Sequence, residues 1–146
     1  LLDRFGLSVE VRSPTDIDER IEVITRRDAF ETDPLGFLKT WAPQDAAIRD
    51  RILAARQSLT ATETPAEVLR DAAQLCLTLG SDGLRGELTL LRAGRALAAY
   101  EGAAAMTRDH LRQVAPISLA HRLRRDPLDE AGSTTRVERT VAEVLG

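Results

Sequence analysis

The sequence predicts a mainly α-helical chain, with one β-strand near its start followed by an α-helical bundle. Three observations carry this reading. Apolar residues recur at helical spacing from Ile17 onward, only residues 7–12 alternate apolar with polar, and cap and stop residues punctuate the helical stretches. The length of 146 residues and mass of 16.0 kDa suit one domain, or one domain plus a piece of another. A composition 43% apolar, 29% charged and only 3% aromatic excludes a disordered chain.

In Leu7-Ser-Val-Glu-Val-Arg12, Leu7, Val9 and Val11 share one side, as in a half-buried strand. A lone strand is not stable, so its sheet is expected upstream of Leu1. Ser13-Pro14-Thr15-Asp16 supplies an N-cap, a first-turn proline and an acidic N3 residue before Ile17, Ile21 and Ile24. A short helix follows Asp33-Pro34 with Leu35, Leu38 and Trp41, the last a core anchor. Another follows Pro43 with Ile48, Ile52, Ala55 and Leu59, and residues 60–64 read as a polar linker. Thr64-Pro-Ala-Glu67 resembles a capping box opening a helix through Val68, Leu69, Ala72, Leu75, Cys76 and Leu79, stopped by Gly80. Ser81-Asp82-Gly83 turns the chain into a helix from about Leu84, with Leu88, Leu91 and Leu97 inward. Thr107-Arg-Asp-His110 begins the next, kinked at Pro116 and running through Leu119 and Leu123 to Arg124-Arg-Asp-Pro127. A last amphipathic helix carries Val137, Val141 and Val144.

Acids outnumber bases 23 to 20, a net charge of −3, which recommends neither nucleic acid nor an anionic membrane as partner. All the bases except Lys39 are arginine, which reads as codon bias. The one cysteine, Cys76, lies in an apolar run and reads as a core thiol in a reducing, cytoplasmic setting. No apolar run is long enough to span a bilayer, and the start at Leu1 suggests a segment of something longer.

The common catalytic kits are absent: no Gly-rich phosphate loop, no Cys/His spacing for zinc and no Ser-His-Asp set. His110 and His121 stand roughly three helical turns apart, too far to chelate one metal, and read as surface or interface residues. Two arginines stand out by their surroundings. Arg4 sits in Leu-Leu-Asp-Arg-Phe-Gly, where Leu1, Leu2 and Phe5 can anchor a turn from which Arg4 projects. Arg85 sits in the first turn of a helix, flanked by Gly83 and Gly86, which leave room for a backbone or a ligand to approach. Free N–H groups and a fixed positive charge there suit an anion. A buried ion pair with Glu87 or Asp82 is the alternative. His121-Arg-Leu-Arg-Arg125 reads either as a solvated basic face or as a docking surface for a neighbouring subunit.

Leu1-Leu-Asp-Arg-Phe-Gly6 before a strand resembles the end of an AAA+ ATPase module of the chelatase, MoxR and minichromosome-maintenance lineage. Leu79-Gly-Ser-Asp-Gly-Leu-Arg-Gly-Glu-Leu-Thr-Leu-Leu-Arg92 and His121-Arg-Leu-Arg-Arg-Asp-Pro-Leu-Asp129 resemble, more narrowly, the magnesium chelatase I subunits of bacteriochlorophyll synthesis. The likeness spans the whole sequence. It implies that the strand is the last of an AAA+ α/β core and that the bundle is the helical lid. Arg4 would be the arginine finger, reaching in trans to the γ-phosphate held by a neighbour. Arg85 would be sensor 2, contacting the phosphates of ATP and reporting hydrolysis to the lid. A finger acting in trans implies a homo-oligomeric ring, by family analogy a hexamer, with the D and H subunits of the chelatase as further partners. The family's P-loop, its acidic Mg²⁺-organising residues and its sensor 1 Asn would lie before Leu1, so ATP and Mg²⁺ would be held mainly outside this sequence. The sequence alone is then expected to be inactive, with no metal ligands of its own.

The expected division is 1–13 for the end of the ATPase core, 14–62 for connecting helices and 63–146 for the lid. The expected function is the C-terminal part of an ATPase motor that couples hydrolysis to Mg²⁺ insertion into protoporphyrin IX. The rivals are a MoxR-type or cobalt-chelatase ATPase, which would share Arg4 without the 121–129 run, and a helical protein-interaction module without nucleotide chemistry.

Overall fold

Capping and apolar periodicity place six α-helices in the computed structural model, which describes residues 4–81, 84–123 and 132–146. They are α1 (Ile17–Thr32), α2 (Pro34–Ser58), α3 (Ala66–Leu79), α4 (Arg85–Tyr100), α5 (Arg108–Leu119) and α6 (Gly132–Leu145), with a 3-10 turn at Ala120–Arg122. The described residues form two compact units: one runs from Glu10 to Leu53, the other holds the residues up to Val9 and those from Ala54 onward.

In the Glu10–Leu53 unit, α1 is capped by Asp16, whose carboxylate accepts from the N–H groups of Asp18 and Glu19, both at 3.0 Å. The expected Ser13 cap is therefore displaced by three residues, because an ionised side chain makes the stronger cap. Asp33 caps α2 in the same way, accepting from Gly36 N at 3.0 Å, with Pro34 as first helical residue. The two helices expected on either side of Pro43 are one, since α2 runs through that proline. With its amide nitrogen turned to the backbone, Gln44 donates to the carbonyls of Thr40 and Trp41 at 3.1 Å, beside the proline's missing donor. Phe30, Phe37 and Trp41 form an aromatic row at 5.7 and 5.9 Å between centroids, and the Arg26 guanidinium lies 4.4 Å from the Trp41 ring centre. Trp41 thus anchors α2 to α1. Neither helix buries a residue fully, and Ile17, Ile21 and Ile24 are exposed.

The second unit holds the hydrophobic core, built by α3, α4, α5 and α6 around Leu75, Leu90, Leu111, Leu119 and Val137. Val68, Ala72, Leu75, Cys76 and Leu79 share the inner face of α3, and Gly80 ends that helix in the left-handed region at φ 68°, as its sequence predicts. The Thr64 capping box does not form: Pro65 takes the cap position, and the Thr64 hydroxyl accepts from Arg95 at 3.0 Å. Residues 60–64 are pinned rather than free. Glu63 N donates to Ala104 O at 2.9 Å and Met106 N to Glu63 O at 2.8 Å.

The fully buried face of α4 is Gly86, Leu90, Gly94, Ala98 and Ala99; Leu91 and Leu97 pack half-buried against the core as expected, whereas Leu88 is exposed. Small residues set this rotation. A Cβ on Gly94 would lie 2.7 Å from Met106 Sδ, so α4 can approach the 104–106 turn only through its glycine. In α5 the Thr107 N–H donates to His110 Nδ1 at 2.9 Å, and His110 Nε2 then faces Glu101 Oε2 at 3.1 Å. His110 is buried, not at the surface, because its imidazole completes this helix start.

The expected strand at 7–12 is absent. Among the described residues the one β-type pairing is an isolated parallel bridge between Glu63 and Ala105. A strand is stabilised by its neighbour's hydrogen bonds, and Leu7, Val9 and Val11, with no strand beside them, stay exposed.

Candidate functional site

Arg85 opens α4 and is exposed, and Asp82, one of the two acids expected as its ion-pair partner, lies outside the described residues. Leu84 precedes it as N-cap and makes no side-chain cap hydrogen bond to the first turn. A helix start with an arginine in its first turn is chemistry that suits a phosphate oxygen. The room expected around Gly86 is taken: a Cβ there would stand 2.6 Å from Ser81 Oγ and 3.5 Å from Leu119 Cδ2. Gly86 therefore lets the Ser81 turn and α5 close on α4, and does not admit a ligand. Gly83 lies outside the described residues.

Arg4 is exposed, and the residues that follow it up to Val9 belong to the same compact unit as α3–α6. The Phe5 carbonyl accepts two hydrogen bonds, from Arg122 Nη2 at 2.7 Å and His121 Nε2 at 2.9 Å. Ser8 N donates to Ile117 O at 2.8 Å. Arg122 also donates through Nε to Ser118 O at 3.0 Å and through Nη2 to Thr89 Oγ1 at 3.3 Å. The Thr89 hydroxyl in turn donates to the carbonyl of Arg85 at 2.8 Å. One guanidinium thus joins the Arg4 segment, the end of α5 and the first turn of α4.

Helix chemistry explains why Arg122 sits there. The last carbonyls of α5 lack intrahelical donors and carry the negative end of the helix dipole, so a cation folded back onto Ser118 O is favoured. Residues 121–125 read from sequence as a basic face or docking surface; in the structure His121 and Arg122 turn inward to the chain's own backbone, while Arg124 and Arg125 lie outside the described residues. The signal that could have found them was their place, immediately after a helix end.

Beneath this cluster, Cys76 is buried, and burial together with the nearby Glu87 carboxylate pushes its thiol up to about 12, with Arg122 acting in the opposite sense. It is a core thiol and not a nucleophile. Among the described residues no group of three or more His, Cys, Asp or Glu is placed to hold a metal ion, and no helix is long and apolar enough to cross a membrane.

Residues 69–143, covering α3 to α6, match the AAA lid domain family. The chain belongs to the AAA lid domain family. Along 99% of its length it is 66% identical to the magnesium-chelatase 38 kDa subunit of Cereibacter sphaeroides and 64% identical to that of Rhodobacter capsulatus. It is 40% identical to the subunit of the same name from Chlorobaculum tepidum, over its full length. The chain spans 37–43% of the length of these three relatives. In this AAA lid, Arg85 opens the second helix and the Arg4 segment is tied to the start of that helix and the end of the third.

Proposed function

We propose that this chain is the C-terminal part of the AAA+ ATPase motor subunit of magnesium chelatase, the enzyme that couples ATP hydrolysis to Mg²⁺ insertion into protoporphyrin IX. Similarity along almost the whole chain to magnesium-chelatase 38 kDa subunits supports the assignment. One geometric observation carries the mechanism: the segment bearing Arg4 is bound to the helix that starts at Arg85. Two exposed arginines whose backbones are tied together can act on phosphate groups in concert.

Arg4 acts as the arginine finger, in trans, toward the γ-phosphate of ATP held by a neighbouring subunit. Its guanidinium offsets charge that grows on the equatorial oxygens during transfer. Arg85 acts as sensor 2. It contacts the phosphates of ATP, so loss of the γ-phosphate changes what the lid holds. Mg²⁺ would be held with ATP by residues of the motor outside this chain, where it would neutralise phosphate charge. Residues 1–13 close the ATPase core, 14–62 connect, and 63–146 form the lid. The motor assembles as a ring, a hexamer by family analogy, in the cytoplasm, and works with the chelatase D and H subunits. Neither nucleic acid nor membrane insertion enters this function.

The test is the magnesium-dependent ATPase activity of the full-length parent, alone and mixed with its Arg4→Ala form. Arginine fingers supply about 10³–10⁵ in rate. Activity falling more steeply than dilution requires is the expected result and places Arg4 in trans. A fall only in proportion would make Arg4 structural and favour a docking module.

A further inference from the structure

We propose that Arg122 is a positioning residue for phosphoryl transfer, aiming Arg4 through the Phe5 carbonyl and coupling that aim to α4. The inference rests on the reading of Arg4 as an arginine finger. A backbone carbonyl has two acceptor lone pairs, and Phe5 has both occupied, by Arg122 Nη2 at 2.7 Å and His121 Nε2 at 2.9 Å. With Nε2 donating to Phe5, the other ring nitrogen, Nδ1, is buried with no hydrogen-bond partner among the described residues. The imidazole thus leaves one buried nitrogen unpaired while its other nitrogen holds Phe5, a sign that the clamp is specified and not incidental.

Holding the Phe5 carbonyl fixes the peptide plane between Phe5 and Gly6, one residue from Arg4. The bond from Ser8 N to Ile117 O fixes the chain again two residues on. Between them a Cβ on Gly6 would meet Thr89 Cγ2 at 4.0 Å, so the segment lies against the same threonine that Arg122 bonds. The planar fork of arginine is what allows three acceptors in different directions: Ser118 O, Phe5 O and Thr89 Oγ1. Since Thr89 bonds Arg85 O, a shift of α4 on loss of the γ-phosphate reaches the finger backbone through this one side chain. Arg122 touches no substrate. It acts through Arg4.

The experiment is steady-state ATPase of the full-length parent carrying Arg122→Ala, Arg4→Ala and both. Misplacing a reacting group by about 1 Å costs about 10²-fold, so Arg122→Ala should lower kcat by roughly that factor. The KM for ATP should stay within about threefold, as expected when ground-state binding is kept. The double variant should hydrolyse no more slowly than Arg4→Ala alone, because Arg122 has nothing left to aim. Arg122→Lys, a point charge without the fork, should recover only part of the rate. An unchanged kcat in Arg122→Ala overturns the proposal. So does a double variant slowed by the product of the two single effects, which is the mark of a merely structural role. Should Arg122→Ala fail to fold, His121→Ala removes the other donor to the same carbonyl and must show the same non-additivity with Arg4→Ala. If Arg4→Ala itself leaves the rate unchanged, the finger reading falls first, and that outcome is distinct from the others.

Discussion

Helices α3–α6 and helices α1–α2 are written in the same amphipathic style and end in opposite states. In the first group Leu75, Leu90, Leu111, Leu119 and Val137 are sealed from solvent. In the second, no residue is buried, although Ile17, Ile21 and Ile24 keep helical spacing. Periodicity specifies a helix and the face that is apolar. It does not specify what covers that face. Tertiary order in α1–α2 comes instead from the aromatic row of Phe30, Phe37 and Trp41, with Arg26 over the indole.

The sharpest test of this contrast is Leu75→Ala, expected to lower unfolding free energy by about 2–5 kcal/mol in a urea titration. Leu75 is fully buried at the centre of α3, so the lost methyl groups leave a cavity. A loss under 1 kcal/mol would mean that the bundle is not packed as described.

Cys76 gives a pH test of the same core. Burial holds its thiol at about 12 against an ordinary value of 9.0, so the folded state keeps a proton that the unfolded state releases. The stability from this thiol is therefore complete below pH 9 and is lost as pH rises from about 9 to 12. Cys76→Ala should flatten that alkaline decline in unfolding midpoints, and unchanged decline would place the thiol nearer water.

Smaller effects are expected at backbone-dictated positions. Gly94→Ala pushes a methyl toward Met106 Sδ, and overpacking of this kind costs about 1–3 kcal/mol. Truncating Met106 to Ala in the same chain should recover part of that loss, a coupling absent if the two do not meet. In α1, Asp16→Ala removes a cap worth about 0.5–2 kcal/mol. The readout is faster amide exchange at Asp18 and Glu19, whose N–H groups it binds.

Much of the bundle was legible because caps, stops and leucines announce themselves: Gly80 ends α3, and Val137 and Val141 point inward from α6. What escaped depended on partners far along the chain. The rotation of α4 follows from glycines meeting Met106 and Ser81, which a count of leucines cannot see. Residues 7–12 alternate like a strand, yet a strand exists only with a neighbour. At the candidate site, Arg4 and Arg85 were visible from their local settings, whereas the roles of His121 and Arg122 arise across more than a hundred residues, in bonds to Phe5 O.

The smallest expected effect is the most telling for the comparison. Ile21 lies mid-way along α1 and is 54% exposed, so Ile21→Ala in this chain should change stability by no more than about 0.5 kcal/mol. Alanine also has the better helix propensity, which offsets part of the lost apolar contact. The measurement is the same urea titration used for Leu75→Ala, with both variants on one protein preparation. A ratio near one between the two losses would mean that the α1 stripe is covered as fully as the α3 stripe, and the contrast between the two regions would be gone. A loss confined to Leu75→Ala keeps it, and assigns the stability of this chain to the four helices that carry Arg85 and hold the Arg4 segment in place.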